Sequence, residues 1–440
     1  MNDWAIILDP DDPGDRRFRV GLGTYGDTVY RAERFRPVLV FGPQRSYKTS
    51  GIAVPTILEW EGPAVITSVR RDVLDETFAW RDSMGRVAIF DPSGALKGTR
   101  YEAYRYSWDC LDQCRSWDDC VRLGQALTEA GRLGGVTDER FWHALAGQLL
   151  APFLFAGTLG NRTMGEVVDW IRRQEEADAR SILEIEANER ALASAENTWK
   201  RHEKVRDSVY TTASSALRVF DYMDLSVDQP PFLDLDSFIG SQADTLYICA
   251  PPDEQEEFRP LFTGLVRTVI RCVYAVNVNA IDAKNDQIKG EDGSQPTVSR
   301  APCPLLLLLD EAGNIAPLEN LGTLATTAAG TGIQLVTIFH DLSQMEGLYD
   351  RYIAQSIVSN HSATIVLPGI RDQATLSYLE ALLTGERVAN TREGAWNTPR
   401  PIRGMKRGDA LMLYENLRPI VLALRSKFTS TEIADRVRYR

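Results

Sequence analysis

The run Gly42-Pro43-Gln44-Arg45-Ser46-Tyr47-Lys48-Thr49 restricts what this chain can fold into more than any other feature. It follows an apolar stretch, 38–41, that reads as a short buried strand, and it opens a helical stretch, 48–60, broken only by Pro55. Strand, loop and helix in that order are the context a Walker A loop requires. Backbone N–H groups of such a loop converge at a helix N-terminus and bind phosphate oxygens. Lys48 would then reach the β and γ phosphates and Thr49 would hold Mg²⁺, so ATP with Mg²⁺ is the implied cofactor. The residues expected to contact it are Gly42, Gln44, Arg45, Ser46, Tyr47, Lys48, Thr49 and Ser50. One departure matters, because Tyr47 stands where such loops usually carry a second glycine. A tyrosine there keeps its backbone N–H for phosphate if its φ stays negative, but its Cβ removes glycine's freedom. Phosphate affinity is then either ordinary or much reduced. The competing reading is an ordinary strand–turn–helix junction that happens to contain Lys-Thr.

A second segment supplies acids. Five leucines, 305–309, read as a buried strand ending in Asp310 and Glu311. A carboxylate at the end of such a strand needs a cation, hydrogen bonds or water. Beside a phosphate loop, Asp310 would stabilise the Mg²⁺ shell and Glu311 would polarise an attacking water. A strand over 334–339 ends in His340 and Asp341, at the sheet edge where open α/β folds bind ligands. His340 is the candidate γ-phosphate sensor, with a histidine satisfied by its own loop as the alternative. Asp91, after a strand over 87–90, reaches the same edge and can equally cap a turn. The remaining histidines, 143, 202 and 361, read as structural.

Between the two motifs the pattern changes character. Strands at 38–41, 64–67 and 87–90 alternate with helices at 48–60 and 72–80, the rhythm of a parallel sheet. From 108 to 225 strand signal vanishes and helical periodicity takes over at 120–130, 139–155, 164–174 and 177–201. Strand signal returns at 245–250, followed by a helix over 254–278. The polar stretch 281–300 reads as a mobile surface loop. Alternation resumes with strands at 305–309, 334–339 and 363–367 and helices at 318–328, 351–359 and 371–383. Strands at 410–414 and 419–424 would finish the sheet near an edge. Ahead of all this, 4–8 and 18–20 read as short strands around a turn cluster. The fold class is therefore α/β: a RecA-like P-loop ATPase core with a mostly parallel sheet, plus an inserted all-α domain. Residues 1–107 and 236–440 are its two parts, and 108–235 is the insertion.

A net charge of −12 argues against a surface that grips a polyanion throughout, so contact with nucleic acid would be local. Basic residues outnumber acidic ones from Arg400 to Arg440, as a local DNA site or a merely solvated surface would require. The six cysteines form no paired framework, and Cys110, Cys114 and Cys120, the only cluster, lack a nearby histidine and read as buried apolar groups rather than a zinc site. With no leader sequence evident, a reducing cytoplasm is the natural compartment. No apolar stretch approaches the about 20 residues needed to cross a bilayer.

Taken together, GPQRSYKTSG with AVITSVRRDV after it, FWHALAGQLLAPFLFAG in the insertion, SQADTLYICAPPDEQEEFRPLF at the re-entry, LLLLLDEAGNIAPLENL and GTGIQLVTIFHDLSQMEGLYD resemble the conjugative coupling proteins of type IV secretion, P-loop motors of the wider FtsK/HerA group. The resemblance covers most of the chain in order and spacing. It implies a homo-hexameric ring when active, with a monomer in isolation, and nucleotide sites between neighbours. It makes 108–235 a substrate-recruiting domain, and it names as partners DNA, taken as single-stranded with its relaxase, and the membrane components of the secretion system. Lys48, Thr49, Asp310 and Glu311 keep the roles given above. The family often has glutamine where His340 stands. Some relatives place an arginine finger where this chain reads TTAAG, 326–330. Arg371, in GIRD after a sheet strand, is the candidate replacement, and a surface arginine at a helix start is the alternative. Relatives usually carry membrane-spanning helices ahead of the motor. This chain reads either as a cytoplasmic form held at the inner face of the cell membrane by its partners, which the opening methionine favours, or as a piece of a longer protein.

Three functions fit these residues. The first is an ATP-hydrolysing coupling protein that recruits DNA or nucleoprotein and drives its transfer. The second is a nucleotide-binding receptor or scaffold with little hydrolysis, suggested by Tyr47 and the missing finger. The third is a duplex DNA translocase in segregation or packaging, which the large insertion disfavours.

Overall fold

The computed structural model of the chain describes residues 16–68, 71–129, 137–186, 188–222, 230–249, 251, 254–289, 304–384, 387–390, 394–397 and 404–439. The strands, in chain order, are β1 (Gly21–Tyr25), β2 (Thr28–Arg31), β3 (Val38–Phe41), β4 (Ala64–Ser68), β5 (Val87–Phe90), β6 (Arg105–Tyr106) and β7 (Thr245–Cys249). They continue with β8 (Leu305–Leu309), β9 (Ile333–Phe339), β10 (Ala363–Val366), β11 (Arg387–Asn390), β12 (Gly394–Asn397), β13 (Asp409–Tyr414) and β14 (Ile420–Ala423).

All of them join one 14-stranded sheet in the order β12-β11-β14-β13-β10-β3-β9-β8-β4-β7-β5-β6, with β1 on β14 and β2 on β1. The run from β10 to β6 is parallel throughout. Its central strands are buried along their whole length, as expected where helices cover both faces. Alternation sorts their side chains. Leu39, Phe41, Leu305, Leu307 and Leu309 enter one core, while Val38, Val40, Leu306 and Leu308 enter the other. The second core is closed by the helices Val54–Glu59 and Arg71–Met84. The first is closed by the long helix Gln255–Lys289 and by the helices of the insertion.

Between β6 and β7 the helices are Trp117–Glu129, Thr137–Leu159, Met164–Arg173, Ala177–Ile185, Glu189–Trp199, Glu203–Ala216, Val219–Tyr222 and Leu235–Ile239. They share the first core with the sheet. Trp108 packs so closely on Gly264 that a Cβ there would lie 3.3 Å from its ring, and Arg271 on the long helix pairs with Asp119 at 2.6 Å.

Several expectations need correction. Residues 16–18 form a 3₁₀ turn, and the first strand starts only at Gly21; the strand expected at 4–8 lies outside the described residues. The stretch 281–289 is helix, not loop, because Gln255–Lys289 runs on through it; 290–303 lies outside the described residues. An established helix propagates cheaply through Asp, Lys, Asn and Gln without needing an apolar period. The single helix expected over 177–201 is two helices, the second capped by the Asn188 side chain accepting from the Ala191 N–H at 3.0 Å. The strands β13 and β14 do not end the sheet, since β11 and β12 extend it beyond them.

Candidate nucleotide site

β3, β9 and β8 are adjacent and parallel, with Phe41 opposite Phe339 and Leu309 opposite Thr337. Their carboxyl ends therefore release the loop 42–49, His340 and the pair Asp310-Glu311 at one edge. A cavity of about 210 Å³ opens there, lined by Gln44, Arg45, Ser46, Tyr47, Lys48, Thr49, Ser50, Asp72, Glu76, Asp310, Glu311 and Arg407. Seven of the eight residues expected to contact a nucleotide thus face the two acids. The eighth, Gly42, sits beneath the loop, its N–H donating to the Phe339 carbonyl at 3.0 Å. A Cβ at Gly42 would lie 2.6 Å from Ser46 Oγ and 2.8 Å from Lys48 Cγ.

The loop reaches this shape through two left-handed residues, Arg45 at φ 62 and Tyr47 at φ 74. Tyr47 thus takes a positive φ, which glycine would adopt freely; the curl that turns the chain into the following helix overrides a side-chain penalty of about 1–2 kcal/mol. Its ring is partly buried against the second core, and the Arg407 guanidinium lies 5.0 Å above the ring centroid. The helix then begins with a π-helical turn, Thr49–Ala53, and tightens to α at Val54. Pro55 lies just past the switch from π to α geometry, and the helix runs on to Glu59, so it does not break the helix.

Electrostatics divide the acids. Asp310 is buried and its Oδ1 has no hydrogen-bond partner. Burial and then the neighbouring Glu311 push its pKa up to about 7, against the pull of Lys48. Glu311 is held down to about 2, by His340 first, with burial opposing and Lys48 and Asn314 assisting. Its Oε2 accepts from Asn314 Nδ2 at 2.9 Å and lies 3.6 Å from His340 Nε2. Lys48 Nζ is 2.7 Å from His340 Nδ1. A charged ammonium only donates, so Nδ1 accepts and Nε2 carries the proton that faces Glu311. His340 bridges the loop lysine and the acid, and its backbone N–H donates to Gln344 Oε1 at 2.8 Å.

These groups fit a nucleotide that arrives with a divalent cation. Three cationic side chains in the lining, Arg45, Lys48 and Arg407, face four acids, Asp72, Glu76, Asp310 and Glu311. One of the acids, Glu76, is paired with Lys427 at 2.9 Å. A bare triphosphate would meet carboxylates, whereas a metal ion beside Thr49 would give Asp310 Oδ1 the partner it lacks. Ser46 Oγ, also buried without a partner, would gain a phosphate oxygen in the same way.

Arg371 is exposed, in the turn before the helix Gln373–Leu383, and is not among the lining residues. Asp91 caps its turn by accepting from the Leu96 N–H at 2.9 Å and pairs with buried Arg105. His361 is buried, with Nδ1 on the Ile357 carbonyl and Nε2 on Thr337 Oγ1. Cys110, Cys114 and Cys120 are buried free thiols, and no cluster of three or more His, Cys, Asp or Glu placed to hold a metal ion occurs among the described residues. Asp72, Glu76 and Arg407 line the cavity without having been singled out from sequence. The two acids lie one helical turn apart on Arg71–Met84, an ordinary solvated-face spacing, and Arg407 is one of many arginines near the C-terminus.

Residues 9–394 match the family described as Type IV secretory system Conjugative DNA transfer. The chain belongs to this family. Family members to which it is similar include the conjugal transfer protein TraG of Escherichia coli, 26% identical over 73% of this chain and 51% of that protein. Another is the protein VirD4 of Rhizobium rhizogenes, 23% identical over 82% of this chain and 51% of that protein. The chain spans about half the length of the curated relatives it matches. Among solved structures, the plasmid coupling protein TrwB in complex with ADP and Mg²⁺ superposes with a TM-score of 0.65 at 18% identity, over 90% of this chain and 86% of that one. TrwB with the non-hydrolysable GTP analogue GDPNP gives 0.65 at 19% identity, over 89% and 85%. The fold is thus the α/β fold of this conjugative DNA transfer family, a RecA-like P-loop core with a mostly parallel sheet and a helical insertion. No helix among its described residues is long and apolar enough to cross a membrane.

Proposed function

We propose that this chain is the motor part of a coupling protein of a conjugative type IV secretion system, which hydrolyses ATP to drive transfer of DNA or nucleoprotein. The observation that carries this reading is the meeting of Lys48 and Thr49 with Asp310 and Glu311 around one cavity. In this reading the loop N–H groups and Lys48 bind the phosphates, and Thr49 and Asp310 hold Mg²⁺. The metal, when bound, neutralises charge on the phosphates and the leaving group. Glu311, kept ionised, orients and polarises the attacking water. His340 holds Lys48 and Glu311 in register and, although it does not itself line the cavity, would sense the terminal phosphate through them. Arg371, which does not line the cavity of its own chain, would act on the site of a neighbouring subunit.

Residues 1–107 and 236–440 would form the nucleotide-binding domain and 108–235 would recruit substrate. The active form would be a homo-hexamer that handles single-stranded DNA with its relaxase at the inner face of the membrane, held there by secretion partners. Hydrolysis measured against protein concentration, with and without DNA, tests this. Activity should rise steeply with concentration, increase with DNA, and vanish in Lys48→Ala and Glu311→Gln. Assembled rings without turnover would refute it.

One observation favours a second reading, a nucleotide-binding receptor with little hydrolysis: Tyr47 occupies a left-handed conformation that glycine adopts freely. Under that reading Tyr47→Gly should raise turnover.

A further inference from the structure

Arg407 reaches the cavity from a part of the fold that the motifs do not touch. It belongs to the turn ahead of β13, and the sheet order β13-β10-β3-β9 puts that strand and β9 on opposite sides of the loop-bearing β3. Lys48 is anchored toward β9 through His340, so the two cations come to the loop from opposite flanks. The turn is firmly built. The Lys406 N–H donates to Asp409 Oδ2 at 2.7 Å, the Asp409 N–H donates to the Lys406 carbonyl at 2.9 Å, and the Leu424 N–H donates to the Gly408 carbonyl at 2.8 Å. Gly408 takes φ 90, which a side chain would resist. From this turn the Arg407 side chain lies over the Tyr47 ring, and its Nη2 meets the Arg45 carbonyl at 3.4 Å. It thereby touches both left-handed residues of the loop. Among the described residues its guanidinium has no carboxylate partner, although four acids line the same cavity.

We propose that Arg407 is a second phosphate-binding cation, supplied by the same chain, and that Tyr47 stands in place of glycine because its ring carries that arginine. The proposal rests on the nucleotide reading of the cavity and adds to it the residue that neutralises the phosphates from the β13 side. A guanidinium presents several donors in a fixed plane, so its contact with the ring face leaves donors available to acceptors. The aromatic face holds the cation by its quadrupole without consuming those donors. Replacing Tyr47 by glycine would ease the backbone and remove the platform. The loop thus trades conformational ease for a placed charge, in a chain whose stretch 326–330, TTAAG, offers no arginine.

The test is equilibrium binding of Mg·ATP, with Mg·pyrophosphate as competitor, to the whole chain and to Arg407→Ala, Arg407→Lys, Tyr47→Leu and the double variant. Loss of charge-assisted hydrogen bonds predicts that Arg407→Ala weakens both ligands by roughly ten- to a hundredfold, with partial recovery in Arg407→Lys. Tyr47→Leu keeps the Cβ and removes the ring, so Arg407→Ala should cost much less in that background. Unchanged affinity in Arg407→Ala, with only a lowered melting temperature, would overturn the proposal and leave a structural arginine. Weakened ATP with unchanged pyrophosphate would overturn it too, by moving the contact to the base. Fully additive effects would break the link to Tyr47. If the unaltered chain binds neither ligand, the nucleotide reading itself fails, an outcome distinct from a chain that binds nucleotide without using Arg407.

Discussion

Gly42 has no room for a side chain, with Ser46 Oγ, Lys48 Cγ and Leu367 Cδ1 all within 2.9 Å of where a Cβ would stand. Gly42→Ala should therefore displace Lys48 and lower nucleotide affinity at least about tenfold, or 1.4 kcal/mol, while thermal unfolding moves little; titration calorimetry beside a melting curve separates the two. A second residue sets a pH response. Burial holds His361 down to about 4 from its ordinary 6.5, so the unfolded chain takes up this proton first as pH falls. The stability contributed by neutral His361 is whole above about pH 6.5 and drains away toward pH 4, about 3 kcal/mol in all. Urea unfolding at pH 7.5 and pH 5 should show this loss, and His361→Gln should flatten that part of the slope. The meeting of Lys48 and Thr49 with Asp310 and Glu311 was readable from residue type and strand context. The φ of Tyr47 was not, because a loop's curl is dictated by the strand it leaves and the helix it enters. Arg407 was hidden for a related reason: only the fold brings a turn ahead of β13 back to the loop after β3.

At the scale of elements, one buried arginine fastens three of them. Arg81, on the helix Arg71–Met84, donates to the carbonyls of Trp60, Gly62 and Ala243 and to Thr245 Oγ1. It thus holds the chain entering β4 and β7 to the helix that covers them, and burial pulls its pKa down to about 10. Arg81→Met would strand three carbonyls, each costing about 1–3 kcal/mol when left unsatisfied. A destabilisation above about 3 kcal/mol is expected from denaturant unfolding. Helices and strands with a clear apolar period were legible at their centres, as with Leu305–Leu309 and Gln255 onward. What escaped were elements held by context: the polar end of Gln255–Lys289, and the four-residue strands β11 and β12, whose Arg, Asn and Gly carry weak strand preference.

Across the whole molecule, the helical insertion and one face of the sheet share a continuous core in which Phe41 and Phe90 belong with Leu149 and Phe153. Sequence showed where strands stop and resume but not this sharing, because periodicity marks an apolar face and does not say what covers it. Residues 108–235 cut free would expose Trp108 and Leu123, which rest on the long helix, and would lose the Arg271–Asp119 pair. Burial of each large side chain is worth about 1.5–3 kcal/mol, so the excised piece should unfold at lower denaturant and less sharply than the full chain, as tryptophan fluorescence would report. Partner binding is better sought with the intact protein.

The contact between Lys48 and His340 joins residues 292 positions apart. While the chain is still being made on the ribosome, the phosphate loop emerges early and must wait for the strands that flank it. A nascent or prematurely terminated chain lacking β9 leaves Lys48 without its His340 partner, so the geometry of the loop is completed only once residue 340 has emerged.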